Sequence, residues 1–125
     1  MKRKVIKVGI ITREDYKKRT IAIAKGEYIP KHGEPKIWFE SIQTLAQVLS
    51  SENQDLLKII IAEQPDSLEE LEKVTGRQRQ NLSEVLETMA RYGIVELMRH
   101  NSSIKPIVKA TDFKVEFGIH QPFEK

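Results

Sequence analysis

The chain has 125 residues, 39% of them hydrophobic and 31% charged, with a formal net charge of +3 and no cysteine. That length fits one domain with a modest core. The absence of thiols excludes disulfides, cysteine nucleophiles and thiolate metal sites, and it fits a reducing compartment.

The charge is unevenly spread. Residues 1–25 hold nine Lys or Arg against two acids, residues 26–75 hold four against ten, and residues 76–125 hold eight against six. For a polyanion binder, this turns the two basic ends toward phosphates and the acidic middle elsewhere. The most apolar run, Leu56 and Leu57 followed by residues 59–62, is too short to cross a bilayer. Lys7 interrupts the apolar part of the first residues, which makes a poor signal peptide. A cytoplasmic protein with no membrane partner is expected.

Residues 4–11 are rich in Val and Ile and predict a strand. Thr12 predicts a helix N-cap, with Glu14 and Asp15 placed to suit the dipole, and Gly26 ends that helix. Its expected apolar side carries Tyr16, Ile21, Ile23 and Ala24, and its other side Lys17, Lys18, Arg19 and Lys25. Such a helix suits packing against a second subunit. Residues 28–35 (YIPKHGEP) predict a linker in which His32 is solvent-exposed. Residues 36–40 predict a short strand, with Ile37 and Phe39 on one side and Trp38 on the other, in the core or a dimer interface.

Ser41 predicts the cap of a helix reaching residue 49, with Ile42, Leu45, Ala46 and Leu49 as its stripe. Ser51, with Gln54 in the box position, predicts the cap of the next helix. Leu56, Leu57, Ile59, Ile60 and Ile61 make that helix apolar nearly all round, hence central and buried, and Pro65 ends it.

Ser67 and Glu70 then form a capping box, and Leu68, Leu71 and Val74 share a face. Gly76 supplies a tight turn. A second helix is expected over about residues 78–92, with Leu82, Val85, Leu86 and Met89 inward. Its other face carries Arg77, Gln78, Arg79, Gln80, Asn81, Ser83 and Glu84. A rigid rod bearing amides and guanidiniums is what reading base edges in a major groove requires. The plainer alternative is a helical hairpin with a solvated polar face. Glu69, Glu70 and Glu72 read as solvated charges. Residues 94–98 and 107–110 predict a strand pair joined by a turn over residues 99–106. Residues 113–119 predict a last strand, with Val115 and Phe117 in phase. It could pair with the first strand within one chain or across a dimer.

The segment TGRQRQNLSEVLETMARYGIVEL resembles the recognition-helix segment of winged helix-turn-helix regulators, MarR- and ArsR-like. It is most similar to a family of small predicted transcriptional regulators of bacteria and archaea, some encoded beside toxin genes. The similarity runs upstream through PKIWFESIQTLAQVLSSENQDLLKIIIAEQPDSLEELEKVTGR and downstream to FKVEFGI. It implies an α+β, mainly α fold. Residues 1–35 would form a basic strand-helix arm and linker, residues 36–111 a winged helix-turn-helix, and residues 112–125 a C-terminal strand and tail.

It also implies a homodimer that binds double-stranded DNA and represses by occluding a promoter. Arg79 would pair with guanine, and Gln80 and Asn81 with adenine; Ser83 and Glu84 would meet the next bases, with Gln78 beside them and Arg77 on a phosphate. On the wing, Arg99, Lys105 and Lys109 would meet phosphates, and His100, Asn101, Ser102 and Ser103 groove edges. Two other readings are open. One is an antitoxin-type protein that binds a toxin partner and autoregulates. The other is a winged helix used only for protein interaction. No Gly-rich phosphate loop, His pair at ligand spacing or Ser-His-Asp arrangement stands in the sequence, so catalysis, metal and cofactor are not expected.

Overall fold

The computed structural model describes residues 2–119, and within them five helices and five strands make an α+β fold. The Val/Ile-rich start forms β1 (Val5–Ile10), and α1 (Arg13–Ala24) follows it. Next come β2 (Ile37–Phe39), α2 (Ile42–Val48), α3 (Ser51–Glu63), α4 (Leu68–Thr75) and α5 (Arg79–Arg91). A hairpin of β3 (Val95–His100) and β4 (Ser103–Val108) leads to β5 (Asp112–Glu116). Among the described residues, no helix is long and apolar enough to cross a membrane.

The first strand is the middle of a three-stranded sheet, order β2-β1-β5, parallel on both sides. The last strand therefore pairs with the first within one chain. Its start is tied down by Thr111, whose hydroxyl accepts the Lys4 N–H at 2.7 Å. Strand alternation sends Ile6, Val8 and Ile10 to one face, in line with Ile37, Phe39 and Phe113. That face packs on the helices, with Val8 and Phe39 fully buried. Phe39 stacks on Tyr92 at the end of α5, ring centroids 4.2 Å apart. The core continues through Leu56, Leu57, Ile60, Leu71, Leu82, Leu86 and Met89. Burying each of these large apolar side chains contributes roughly 1.5–3 kcal/mol.

The opposite face of the sheet carries Trp38, whose ring lies over Gly9: a Cβ there would come within 2.5 Å of it. Helix α1 meets this face through Arg19, not with the side predicted for it. Tyr16 and Ile21 are exposed, whereas Arg19 is the buried polar residue. Its guanidinium lies 5.2 Å from the Trp38 ring centroid and 6.0 Å from that of Tyr28, and 3.6 Å from the Glu34 carboxylate. A planar cation that stacks on aromatics and pairs with an acid can go where a helical-wheel reading allows only apolar groups. The supposed linker is correspondingly fixed. Tyr28 is buried and donates to Glu34 at 2.6 Å, and the Lys31 N–H donates to the other Glu34 oxygen at 2.7 Å. His32 is exposed.

Other expectations are corrected too. In α2, Val48 is buried while Ile42 is 51% exposed, so the inward stripe runs Leu45, Val48, Leu49 instead of through Ile42 and Ala46. The cap of α3 is Ser50, one residue early, accepting from the Asn53 N–H at 3.2 Å, while the Gln54 side chain donates to the Leu49 carbonyl. In α4 the Ser67 cap holds, but Glu70 reaches back to the Asp66 N–H, and Val74 is half exposed. The hairpin turn is not residues 99–106. It is Asn101 and Ser102 alone, with Asn101 at φ 58°, and β4 begins at Ser103. Counting from the closing pair His100–Ser103, the antiparallel alternation leaves Leu97–Pro106 at a non-hydrogen-bonded position. Pro106, which has no N–H to give, costs that ladder nothing.

Candidate nucleic-acid interface

Helix α5 is presented by what precedes it. Gly76 takes φ 74° at the end of α4, and its N–H donates to the Glu72 carbonyl. After two intervening residues, Arg77 and Gln78, α5 begins. Leu82, Leu86 and Met89 are fully buried, which fixes the rotation of the rod and sets the opposite face to solvent. At its start Gln78, Arg79, Gln80 and Asn81 are all exposed, as is Glu84 further along, while Ser83 is half-buried.

This helix start is locally uneconomical. Gln78 makes no side-chain cap, no acid stands in the first turn, and Arg79 sits at the positive end of the dipole. A Ser, Thr or Asp cap would add about 1 kcal/mol. The first-turn amides have no side-chain cap, beside a cluster of side-chain donors, and together they can engage an anion or base edges.

The expected residues are only partly gathered there. Arg77 is half-buried, and its guanidinium donates to the Glu52 carbonyl at 2.7 Å, tying the turn to the start of α3. Arg79 pairs with Glu72 across the turn. Gln80 approaches Glu84, and Ser83 approaches Glu87, each at 3.4 Å. On the hairpin, Arg99, His100, Asn101 and Ser102 are exposed at the tip, and Ser103 is half-buried. Lys105 lies against Asp66 at 3.1 Å, beside the start of α4 rather than of α5. Lys109 pairs with Glu96 at 3.5 Å, at the far end of the hairpin from its tip. Thus Gln78, Arg79, Gln80 and Asn81 form one group and the hairpin tip a second, with Lys105 and Lys109 outside both.

Sequence reasoning missed the carboxylates. Glu72 holds the arginine expected at guanine, and Asp66 and Glu96 each hold a lysine expected at phosphate. Glu72 and Arg79 stand seven residues apart with a turn between them, a spacing that helix rules do not connect. Each ion pair is at least partly solvent-exposed, and pairs of that kind are worth roughly 0–1 kcal/mol. Among the described residues, no three His, Cys, Asp or Glu side chains come together as a metal site.

The family model described as HVO_A0114 matches residues 48–115, more than half of the chain, from the end of α2 into β5. No curated protein and no solved structure matches the chain.

Proposed function

The chain belongs to the HVO_A0114 family, and from that premise we propose that it is a sequence-specific regulator of transcription that binds double-stranded DNA as a homodimer. The family name carries no activity, so the reading rests on geometry. On it, α4 and α5 are a helix-turn-helix and the β3–β4 hairpin is a wing. The start of α5 enters the major groove, where Arg79 pairs with guanine and Gln80 and Asn81 meet adenine. Arg99, His100, Asn101 and Ser102 at the hairpin tip lie along the backbone or the minor groove. Occupying a promoter in this way represses it. The protein is not an enzyme and uses no cofactor on this reading.

The observation that carries the proposal is the exposed start of α5, which has no side-chain cap and bears three amide side chains and a guanidinium in succession. Its test is to select bound fragments from genomic DNA and sequence them. A short, palindromic motif is the expected result. Recovery of random fragments, or of none, would refute sequence-specific binding.

The paired cations favour one second reading. Arg79, Lys105 and Lys109 are all matched to carboxylates of the same chain. A module that docks on a protein, a toxin among the possible partners, needs no net positive face. Affinity for random duplex DNA separates the two. A steep decline with salt supports the DNA reading, and no measurable affinity supports the protein-docking one.

A further inference from the structure

The parallel sheet ends on β5, whose outer edge pairs with no other strand among the described residues. The backbone phase of that edge can be read. Asp112 donates its N–H to the Lys4 carbonyl, so Asp112, Lys114 and Glu116 turn their backbone groups toward β1. By alternation, Phe113, Val115 and Phe117 turn theirs outward. These three also send their side chains to the helix-packed face, but the core stops at Phe113. Val115 is 51% exposed and Phe117 57%. An open edge with an apolar row is a template for another strand.

We propose that β5 is the surface through which two copies of this chain associate, edge to edge and antiparallel, with Val115 facing its own copy. This deepens the homodimer reading above by naming the contact. The sequence is self-complementary in that register. Val115 exchanges both backbone hydrogen bonds with the partner's Val115, and Phe113 does so with the partner's Phe117. Lys114 falls opposite the partner's Glu116, and Glu116 opposite the partner's Lys114, at the closer, non-hydrogen-bonded positions. Glu116 already meets Lys7 at 3.0 Å on the face opposite the helix-packed one, so it lies between two cations in the pair.

The competing registers are worse. Centring on Lys114 opposes two lysines and sets Asp112 against the partner's Glu116, and like charges directly opposite are destabilising. Centring on Phe113 points Lys114 at the partner's Asp112, which Arg3 already holds at 3.0 Å, and leaves Phe117 uncovered. In the favoured register the two-fold axis stands perpendicular to the sheet. Both helical bodies, and with them both copies of α5, then lie on the same side.

Sedimentation equilibrium of the full chain tests this. The wild type should be a dimer. Lys114→Glu opposes carboxylates at both symmetric positions, and Glu116→Lys opposes ammoniums; each should raise the dimer dissociation constant about tenfold. An equimolar mixture of the two variants should regain wild-type affinity, because every facing pair in the mixed dimer is opposite in sign. Val115→Pro should give a monomer whose far-ultraviolet circular dichroism is unchanged, since the lost N–H points away from β1. A monomeric wild type overturns the proposal. So does a wild type that dimerises only after residues 120–125 are removed, which would give the edge to its own tail. Charge variants that dimerise as well as the wild type, or a mixture no tighter than its components, overturn the interface and leave the DNA reading standing. A β5 dimer that binds no DNA refutes the DNA reading alone.

Discussion

Two Arg–Glu pairs in this molecule sit in different surroundings, one buried and one at the surface. Arg19 and Glu34 meet under Trp38 and Tyr28, with side chains only 11% and 14% exposed. Arg79 and Glu72 meet on the surface, at 56% and 31%. The residue types are the same, but the first pair is enclosed by aromatic rings and the second stands in solvent. A pair sealed from water cannot give up one partner without leaving a charge unsolvated, which costs several kcal/mol. A pair in water exchanges one partner for another at little cost. The first is thus part of the fold, and the second leaves an arginine able to change partners at little cost. If α5 binds DNA, Glu72 releases Arg79 to a guanine or a phosphate.

The largest expected effect breaks the buried member. Arg19→Ala should lower the unfolding free energy by about 3 kcal/mol, counting the orphaned Glu34 and the lost stacking. Denaturant midpoints measure it, and a change below about 1 kcal/mol would show that water reaches the cluster. Arg79→Ala should leave that midpoint nearly untouched. It should weaken binding to a selected site by about 1–3 kcal/mol with little effect on random DNA. Equal losses on both would make Arg79 a phosphate contact instead of a reader.

Glu72→Gln sharpens the contrast. It frees Arg79 and removes a negative charge, so affinity for every DNA sequence should rise, severalfold at low salt. Unchanged affinity would separate Glu72 from the interface. Arg99→Ala with Lys105→Ala should reduce the salt slope of binding by about one, for the Arg99 phosphate contact alone, because Lys105 stands beside Asp66 away from the hairpin tip. A reduction of about two would bring Lys105 into the interface, and an unchanged slope would remove the hairpin from it.

The smallest effect is a pH dependence in the buried cluster. Burial, and then the hydrogen bond it donates to Glu34, hold the Tyr28 pKa above its ordinary 10.0. The unfolded chain therefore releases this proton first. The stability so gained is complete below the unfolded value and is lost as pH rises through the folded one. Alkaline melting of the wild type and of Tyr28→Phe should differ at neutral pH and converge above pH 10. A constant difference would show that Tyr28 does not titrate in the fold.

What could be read from the sequence divides along the same line. The Ser67 cap, the Gly76 turn and the Leu82, Leu86, Met89 stripe are local signals, and each stands where spacing put it. The start of the candidate interface was legible for the same reason, since exposed polar groups on an amphipathic helix follow from its buried side. The buried Arg19 was not legible. It depends on Trp38 and Tyr28 arriving from other elements, and hydrophobic periodicity counts any arginine as outward. The Ser50 cap was missed because adjacent serines offer two equivalent starts, and the choice falls to Asn53, which also reaches the Gln47 and Val48 carbonyls. That β5 could pair with β1 was legible, but whether it does so within one chain or across a dimer lay beyond any local rule.

That pairing also governs how the chain can fold. Lys4 and Thr111 are bonded although they stand 107 positions apart, and the strand at the centre of the sheet is the first of the five described strands while an edge partner is the last. The helices and the hairpin close over short loops, but β1 must wait for nearly everything else before both its sides are satisfied. Contacts so distant along the chain set the slow step. Substitutions in the β1–β5 ladder should therefore act on the late stage of refolding, after the helical signal has returned.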